Sequence, residues 1–389
     1  MTEPAVDIIV VNWNGREDTL RCLAAVEPQL SEVEGAGVTV VDNGSTDGSI
    51  AAITAKHPRA RFLPLGKNRG FTGGIAAALA RSGARNVIFL NNDAVPERGW
   101  LAALTRAMDE APADVVSVGG RIVDLSGQRI DFIGGVLTFD GHAFQEGFRM
   151  PIGSRQEPAA GADLLFACGG NMISRREPLE RLGGFDDDYF AYLEDVDFGW
   201  RTWLAGCRAI YEPHATVRHA SSATSNRLGD FERGVLFERN ALQTAFKNYE
   251  DLRESAGAVL FTYLHRLHHY ATTRNDDAAE LTREALTPQP SRRRGLRRRR
   301  TLAKLDDPLT MMQFRALDWL FRNEQRLADK RSRVQAMRRR PDKEIFERFP
   351  LHIVPTYPGD EPLMRGPLFD LLRPPLATSE RKLGDIIRT

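Results

Sequence analysis

The first 120 residues alternate between short apolar runs and polar, helix-forming segments. Four apolar runs are bounded by polar residues, as is typical of strands buried on both faces of a sheet: VDIIVVNWN, GVTVVDNGS, ARFLPLG and NVIFLNND. Helical stretches are predicted from about Asp18 to Leu30, from Ser49 to His57, and after Asn68. This alternation predicts an α/β fold with a mostly parallel central sheet and helices on both of its faces.

Polar residues follow each of the four predicted strands. The clusters are Asn12 with Asn14, Asp42 to Asp47, Asn68–Arg69–Gly70–Phe71, and Asn91–Asn92–Asp93. Because ligands of such sheets bind beyond the carboxyl ends of the strands, the four clusters together predict a shared crevice. Taken singly, each cluster also fits an ordinary turn or a helix cap.

Beyond residue 115 the pattern predicts short strands, and beyond Asn226 it predicts helices. Two helical stretches, Phe231–Tyr249 and Met311–Met337, carry apolar stripes. Between them lies an arginine-rich segment with seven Arg in residues 292–300. The proline-rich end is predicted to be irregular. The pattern thus divides the chain into residues 1–225, a helical and basic region 226–340, and a tail 341–389.

The stretch YFAYLEDVDFGWR, residues 189–201, places three acids among aromatic residues. In a helix Asp197 and Arg201 are four residues apart and can pair. That pairing leaves Glu194 and Asp195 without a local partner. Since an unpaired carboxylate beside apolar surface is costly to bury, these two acids are candidate functional groups.

Six motifs resemble, in order and spacing, those of family-2 glycosyltransferases with a GT-A nucleotide-sugar-binding fold. They cover roughly residues 5–225 and read VDIIVVNWNG, VVDNGSTDGS, NRGFTGG, FLNNDAVPERGWL, GGFDDDYFAYLEDVDFGWR and YEPHATVRH. Within that family they are most similar to the bacterial rhamnosyltransferase and galactofuranosyltransferase-like branch. The resemblance implies inverting, metal-dependent transfer of a sugar from a UDP- or dTDP-linked donor to a hydroxyl of a glycan or polyprenyl-diphosphate-linked glycan, in cell-envelope polysaccharide synthesis.

The resemblance assigns the strand-end clusters to the donor. Asp42 matches the carboxylate that reads the base, and a carboxylate can accept the ring N–H of uracil or thymine. Asn12 would border the same base, and Arg69 can bind phosphate as a fork. The full set of nucleotide-sugar-binding candidates is Asn12, Asn14, Asp42, Asn68, Arg69, Gly70, Phe71, Asn92 and Asp93.

The resemblance also implies a cofactor, Mn²⁺ or Mg²⁺, held against the diphosphate. Asn91–Asn92–Asp93 stands where the family has Asp-x-Asp, so Asn91 replaces the first acid and weaker metal affinity is expected. His219 matches a further metal ligand, and imidazole suits Mn²⁺ better than Mg²⁺. A lone His is also commonly a core or surface residue, which is how we interpret His214.

Glu194 and Asp195 match the Glu-Asp motif, in which the second acid is the catalytic base. Asp195 would take the proton of the attacking hydroxyl, and Glu194 would bind an acceptor hydroxyl. The segment FACGGNM, residues 166–172, resembles the acceptor-side loop, although a plain turn is the alternative. The acceptor-binding candidates are Gly169, Gly170, Asn171, Tyr192 and Trp200.

Composition and charge predict where the protein is located and what surfaces it meets. With 42% hydrophobic and 27% charged residues the chain is typical of a soluble globular protein. Widely spaced cysteines and an N-terminus without a basic segment predict a cytoplasmic protein without a signal peptide. Residues 1–225 hold 21 basic and 29 acidic residues, whereas 226–389 hold 32 and 23. The basic part predicts peripheral docking on an anionic membrane surface, and the stripe of 311–337 predicts pairing with a second copy of the chain.

Other function classes are weighed against the same residues. A nucleotide-dependent oxidoreductase is disfavoured, because GFTGG is not GxGxxG and follows the third strand. Nucleic-acid binding through RRRGLRRRR is disfavoured, because that run lacks interleaved aromatic residues. A catalytically weak binding module with an arginine-rich tail stays open because of Asn91.

Overall fold

The computed structural model of the protein describes residues 5–220, 229–273, 307–357 and 359–388. The arginine run at 292–300 lies outside these residues. Within them the strands, numbered in chain order, are β1 (Val6–Asn12), β2 (Ala36–Asp42), β3 (Arg61–Pro64), β4 (Asn86–Asn91), β5 (Ala94–Pro96), β6 (Val115–Asp124), β7 (Ile130–Phe132), β8 (Gly135–Leu137), β9 (Ala143–Gln145), β10 (Asp163–Leu164), β11 (Asn171–Arg175), β12 (Arg208–His219), β13 (Leu351–Ile353) and β14 (Thr378–Glu380).

The α-helices are numbered in the same way. They are α1 (Arg16–Val26), α2 (Ser49–Lys56), α3 (Gly70–Leu79), α4 (Trp100–Glu110), α5 (Arg176–Arg181), α6 (Glu194–Leu204), α7 (Asp230–Asn248), α8 (Leu252–Thr273), α9 (Pro308–Arg322), α10 (Glu324–Ala336), α11 (Asp342–Arg348), α12 (Asp360–Leu363) and α13 (Pro367–Leu372).

The main sheet has the strand order β10-β12-β6-β11-β4-β1-β2-β3. Strands β3, β2, β1 and β4 are parallel, which confirms the sequence prediction for these four. The other half is mixed: β11 runs antiparallel to both β4 and β6, and β12 runs parallel to β6. The register pairs Asn12 with Asp42 and Val11 with Asn91, so the polar strand ends do meet at one edge.

Strands β1, β2 and β4 are largely buried because most of their side chains are apolar on both faces. Val87 to Leu90 of β4 are each 0% exposed, and burying one such side chain stabilises the fold by about 1.5–3 kcal/mol. The one acid inside β1, Asp7, is buried but paired: it lies 2.6 Å from the guanidinium of Arg61 and accepts a hydrogen bond from Thr39. A buried charge needs such partners.

The C-terminal helices continue the core of the first 220 residues. One apolar cluster extends from Val6 to Phe369, and α9 and α10 pack against α7. The predicted helix 311–337 is two helices, interrupted at Asn323, whose amide donates to the carbonyl of Trp319. Leu317, Leu327 and Val334 of the apolar stripe are buried within the chain itself, whereas Phe321 of the same stripe is 62% exposed, so pairing with a second copy stays a prediction.

The tail is not irregular, which corrects the sequence prediction for 341–389. It contains α11, β13, α12, α13 and β14, and β13 pairs with β14 in parallel. Its prolines do not prevent this, because Pro341 caps α11 and Pro367 opens α13. At the first helical position the missing N–H of proline removes no hydrogen bond.

Candidate active site

The ends of β1 and β2 are joined by Asn12, which is wholly buried. Its amide nitrogen lies 3.1 Å from Asp42 Oδ1 and 3.0 Å from Ser49 Oγ. Its carbonyl oxygen accepts from Thr19 Oγ1 at 2.9 Å. Both ends of the amide are therefore occupied, and Asn12 fastens the two strands together. The sequence had suggested a different role, in which Asn12 borders a nucleotide base.

Asp42 closes the turn that follows β2. Its Oδ2 accepts from the backbone N–H groups of Gly44 and Ser45 at 3.2 and 3.1 Å, and the residue is 1% exposed. Asn14, which adopts φ +53°, accepts from the N–H of Thr46 at 2.7 Å and remains half-buried at the same edge. Asp42 thus fixes the turn after β2, and Asn14 fastens the end of β1 to the same turn.

Asn43 is a site residue that the sequence analysis did not single out. Its amide donates to Asn68 Oδ1 and to the carbonyl of Gly70, at 3.0 and 2.9 Å, and its Oδ1 accepts from the N–H of Arg69. These bonds hold the turn after β3 against the end of β2 and leave the Arg69 side chain exposed. Its place between Asp42 and Gly44 was the available signal.

Gly70 has a geometric requirement of its own. Its φ is +75°, and a Cβ there would clash with the carbonyl oxygen and ring of Phe190. Glycine alone adopts this conformation without cost and permits the close approach. The turn after β3 therefore abuts the loop before α6, and the neighbouring Phe71 is half-buried, with its ring centroid 6.1 Å from that of Phe185.

A second cluster lies where β4, β7 and β12 end. His219 Nε2 is 3.0 Å from Asp93 Oδ1, and its Nδ1 is 2.9 Å from Asp131 Oδ2. The Asn91 amide nitrogen lies 3.1 Å from the same Nε2. Burial lowers the pKa of His219, but the hydrogen bonds to Asp131 and Asp93 outweigh it and raise that pKa to about 10. Asp131 lies 88 residues from His219 in sequence, and the sequence analysis missed it.

The chemistry of this cluster suits a divalent cation in part. Asp93 and His219 place a carboxylate and an imidazole side by side. Asp131 is hydrogen-bonded to the other ring nitrogen, Nδ1, as carboxylates commonly are in metal-binding histidines. Asn92 is buried beside them and donates to Thr19 Oγ1, so its amide supports the turn. Within the described ranges, no three His, Cys, Asp or Glu side chains are grouped so as to hold a metal.

Glu194 and Asp195 lie in the first turn of α6, where the helix N-terminus favours negative charge. Asp195 Oδ2 accepts from the N–H of Gly169 at 3.0 Å, and Oδ1 accepts from the N–H of Val196. Asp195 therefore has partners, contrary to the sequence-based expectation. Glu194 is 7% exposed, and its Oε2 has no hydrogen-bond partner within the described residues.

The pKa values of Glu194 and Asp195 respond to different neighbours. Burial, and then the charge of Asp195, raise the pKa of Glu194 to about 8. Burial also raises the pKa of Asp195, but the N–H groups of Gly169 and Val196 oppose that shift because they bind the ionised form. Glu194 is therefore protonated at neutral pH, whereas the two N–H donors favour the ionised form of Asp195.

The loop before α6 is held in a strained conformation. Phe190, Tyr192 and Leu193 have φ of +65°, +72° and +62°, which non-glycine residues rarely adopt. Asn240 of α7 donates to the carbonyls of Ala191 and Tyr192 at 2.8 and 2.7 Å. The sequence analysis gave Asn240 no role, although it lies in the segment RNALQTAFKN. Helix α7 thus positions the loop that carries Tyr192 and leads into the acid pair.

The loop 168–170 joins the two clusters. A Cβ on Gly170 would stand 2.7 Å from Asn91 Nδ2, and one on Gly169 would stand 3.7 Å from Glu194 Oε1. Burial and the charges of Asp195, Asp131 and Glu194 raise the pKa of Cys168. The acid pair and Asn91 of the second cluster therefore border the same short loop, at Gly169 and Gly170.

Two predicted acceptor residues belong to the core instead. Trp200 is 0% exposed and packs edge-on against Tyr249 and Phe346, with ring centroids 4.9 and 5.2 Å away. Asn171 is also 0% exposed, and its Oδ1 accepts from Trp100 Nε1 at 2.7 Å. Neither side chain can contact a sugar, because tertiary packing has covered both.

The fold and the site can now be compared with known proteins. Residues 7–183 match the Glycosyl transferase family 2 model. The chain carries a family-2 glycosyltransferase domain. The protein is accordingly a glycosyltransferase, and the family and fold that the motifs implied are confirmed.

Relatives of this glycosyltransferase include envelope-building enzymes. It is 29% identical over 244 residues to N-acetylglucosaminyl-diphospho-decaprenol L-rhamnosyltransferase of Mycobacterium tuberculosis, covering 57% of this chain and 77% of the relative. It is 27% identical over 228 residues to the O-antigen biosynthesis protein RfbC of Myxococcus xanthus, covering 56% of this chain but 17% of the relative. The structure of GalNAc-T7 with UDP, GalNAc and Mn²⁺ resembles it with a TM-score of 0.50 at 13% identity, over 72% of this chain and 53% of the other, which is a likeness of fold.

Proposed function

We propose that this glycosyltransferase is an inverting, metal-dependent enzyme that moves a sugar from a UDP- or dTDP-linked donor to a hydroxyl of a glycan or lipid-linked glycan. The observation that carries the proposal is that the Glu194–Asp195 pair borders the loop 168–170 at Gly169, and that Asn91 links the same loop at Gly170 to the Asp93–His219 cluster. A base on one side and a diphosphate site on the other are what a direct displacement needs.

In this mechanism Asp195 accepts the proton of the acceptor hydroxyl as that oxygen attacks the anomeric carbon. The bond from that carbon to the diphosphate oxygen breaks, and its electron pair leaves with the nucleoside diphosphate. Attack from the face opposite the leaving group inverts the anomeric centre. Glu194, which holds a proton at neutral pH, can donate a hydrogen bond to an oxygen of the acceptor sugar.

Asp93 and His219 are the residues that would hold Mn²⁺ or Mg²⁺. Such a cation offsets the charge that develops on a leaving diphosphate. Asp131 would orient the imidazole through Nδ1. With two protein ligands in this set, the donor diphosphate and water would supply the others, as is usual for Mg²⁺. Exposed Arg69 and half-buried Asn14, Asn68 and Phe71 would line the nucleotide crevice.

The acceptor class is proposed from the relatives. The mycobacterial rhamnosyltransferase is named for a sugar carried on a diphospho-decaprenol. We extend this to a polyprenyl-diphosphate-linked glycan as the acceptor here, at the cytoplasmic face of the membrane. Half-buried Tyr192 and the backbone of Gly169 border the space beside the acid pair and would contact the acceptor sugar.

Transfer from a nucleoside-diphosphate sugar should stop on chelation and return with Mn²⁺ or Mg²⁺. Asp93→Ala, His219→Ala and Asp131→Asn should each weaken metal affinity about tenfold or more, since loss of a ligand or of its orienting partner has that effect. Turnover across a metal titration, with a panel of UDP- and dTDP-sugars, measures both donor choice and metal affinity.

His214→Ala is the matched control, because His214 is exposed and pairs only with Glu212 in the described chain. Its turnover should depend on the metal concentration in the same way as that of the wild type. Transfer that survives chelation would refute metal dependence. A protein that binds nucleotide sugars but transfers none would instead favour the catalytically weak binding module that Asn91 leaves open.

We also propose that the enzyme docks on the membrane surface. None of the described helices is long and apolar enough to cross a bilayer. Exposed leucines on two helices that pack together support docking instead: Leu260 and Leu264 on α8, and Leu368 and Leu371 on α13. Leu371 is 83% exposed, and apolar patches of this kind mark interaction surfaces.

The protein should co-sediment with anionic vesicles and be released by salt, which screens the attraction of basic residues to anionic lipid. Replacing Arg297–Arg300 with Ser, or Leu264 and Leu371 with Asp, should each weaken binding. Equal binding to neutral vesicles, or none to either, would contradict electrostatic docking.

A further inference from the structure

A cleft of about 490 Å³ opens beside His219. It lies between the turn from β6 to β7, the segment after β9, and the last residues of the chain. Three arginines and two acids stand around it together with His219: Arg129, Arg149, Arg388, Asp124 and Asp131. Its volume is within the range of small-molecule sites.

The charges of this cleft are unbalanced. Asp124 accepts from the backbone N–H groups of Gln128 and Arg129 and from the Ser126 hydroxyl, and Asp131 accepts from His219 and Gln145. The two acids are thus occupied by other donors. Among the described residues, none of the three guanidinium groups pairs with a carboxylate. The three guanidinium groups therefore have several N–H donors available for an anionic ligand.

Hydrogen bonds to the backbone fix the positions of Arg129 and Arg149. Arg149 adopts φ +61°, its N–H donates to the carbonyl of Ile130, and Arg129 Nη1 donates to its carbonyl at 3.0 Å. A non-glycine residue kept in this region of backbone space is strained and persists only where its surroundings require it.

Arg388 is placed by the C-terminal tail. Its N–H donates to the carbonyl of Phe148 at 2.8 Å, and the N–H of Gly147 donates to the carbonyl of Ile386. Arg381 forks onto Glu146 with contacts of 2.6 and 2.9 Å. The tail is therefore fixed along the segment after β9, and its end completes the cleft.

The imidazole of His219 lies between the cleft and Asp93, the other proposed metal ligand. Asp131 is on its Nδ1 side and lines the cleft, whereas Asp93 and Asn91 are on its Nε2 side and do not. A donor diphosphate bound at Asp93 would thus lie across the ring from the arginines. An anionic group in the cleft would therefore be separate from that diphosphate.

We propose that this arginine cleft binds the diphosphate of a lipid-linked acceptor, an inference that rests on the proposed transferase function. Guanidinium groups recognise phosphate through paired, charge-assisted hydrogen bonds, and three of them supply enough donors for the oxygens of a diphosphate. Bound there, the diphosphate would anchor the acceptor beside the Asp93–His219 cluster, one loop away from Asp195.

Farnesyl diphosphate is a suitable probe, with UDP and uncharged farnesol as comparisons, titrated calorimetrically into the full-length protein. Arg149→Gln and Arg388→Gln should each weaken farnesyl diphosphate binding about tenfold or more, as expected for loss of a hydrogen bond to a charged group. The affinity for UDP with Mn²⁺ should stay unchanged. Arg59→Gln, an exposed arginine beside β3 at the opposite edge of the sheet, is the matched control and should change neither affinity.

Each other result overturns the assignment. Loss of UDP affinity in the same variants would give the cleft to the donor diphosphate. Equal binding of farnesol would show that the lipid chain, not the phosphate, is recognised, and unchanged binding in both variants would show that the arginines do not bind it. Binding is measured apart from turnover, so a protein inactive in transfer that still shows the expected pattern would refute only the proposed function.

Discussion

Asp195→Asn is expected to lower turnover by about 100-fold or more, while Glu194→Gln keeps turnover within about tenfold near neutral pH. The two acids are adjacent and both border the loop 168–170, yet their protonation states differ. Asparagine cannot take a proton from the acceptor, whereas glutamine reproduces the neutral, hydrogen-bonding form that Glu194 has below its pKa of about 8. Turnover at saturating donor, with the melting temperature as a check on folding, compares the variants directly.

The pH profile separates the two roles further. In the wild type, activity should rise as Asp195 ionises and fall as Glu194 loses its proton near pH 8. Glutamine does not ionise, so Glu194→Gln should lack the alkaline decline. If Glu194→Gln loses as much turnover as Asp195→Asn, or Asp195→Asn retains turnover within about tenfold, the assignment of Asp195 as the base is wrong.

The same shift has a consequence for stability. The pKa of Glu194 rises from an ordinary value of 4.5 to about 8 on folding, so the unfolded chain releases this proton at a lower pH than the folded chain. The stability that this group contributes is present below about pH 4.5 and is lost as the pH rises towards 8. Glu194→Gln should therefore be more stable than the wild type at about pH 8 and lose that advantage in acid.

Asp197→Ala is expected to lower the free energy of unfolding by about 3–5 kcal/mol, the usual cost of leaving a buried ion pair half complete. Asp197 is wholly buried and lies 2.8 Å from Arg201 and 3.1 Å from Lys247, so it ties the helix of the acid pair to α7. Lys247 keeps a second partner in Asp186 at 2.6 Å, which places the expected loss towards the lower end. Urea denaturation at constant m-value measures it.

Asp318→Ala is the matched control for this substitution. Asp318 also pairs with an arginine four residues on, Arg322, at 2.8 Å, but both side chains are exposed. Exposed helical pairs contribute about 0.3–0.5 kcal/mol, so this variant should unfold almost as the wild type does. Equal losses in the two variants would mean that burial does not determine the strength of the Asp197 pair.

The sequence alone determined the features that depend on neighbours in the chain. Apolar runs predicted the four parallel strands, because the strands of a parallel sheet covered on both faces are mostly apolar. The spacing of four residues predicted the Asp197–Arg201 pair, because helical geometry places those side chains on one face. The ordered motifs predicted the family, since several long matches in sequence order occur together only in related chains.

The tertiary structure decided which polar and aromatic residues are free to act. Asn12, Asn171 and Trp200 have the chemistry of a binding site, but partners distant in sequence bury them. Asp131 joins His219 across 88 residues, and Asn240 fastens a loop about fifty residues before it. The tail, predicted to be irregular, brings Arg388 to the cleft. Local patterns carry no record of such contacts, because they form only when separate elements pack against one another.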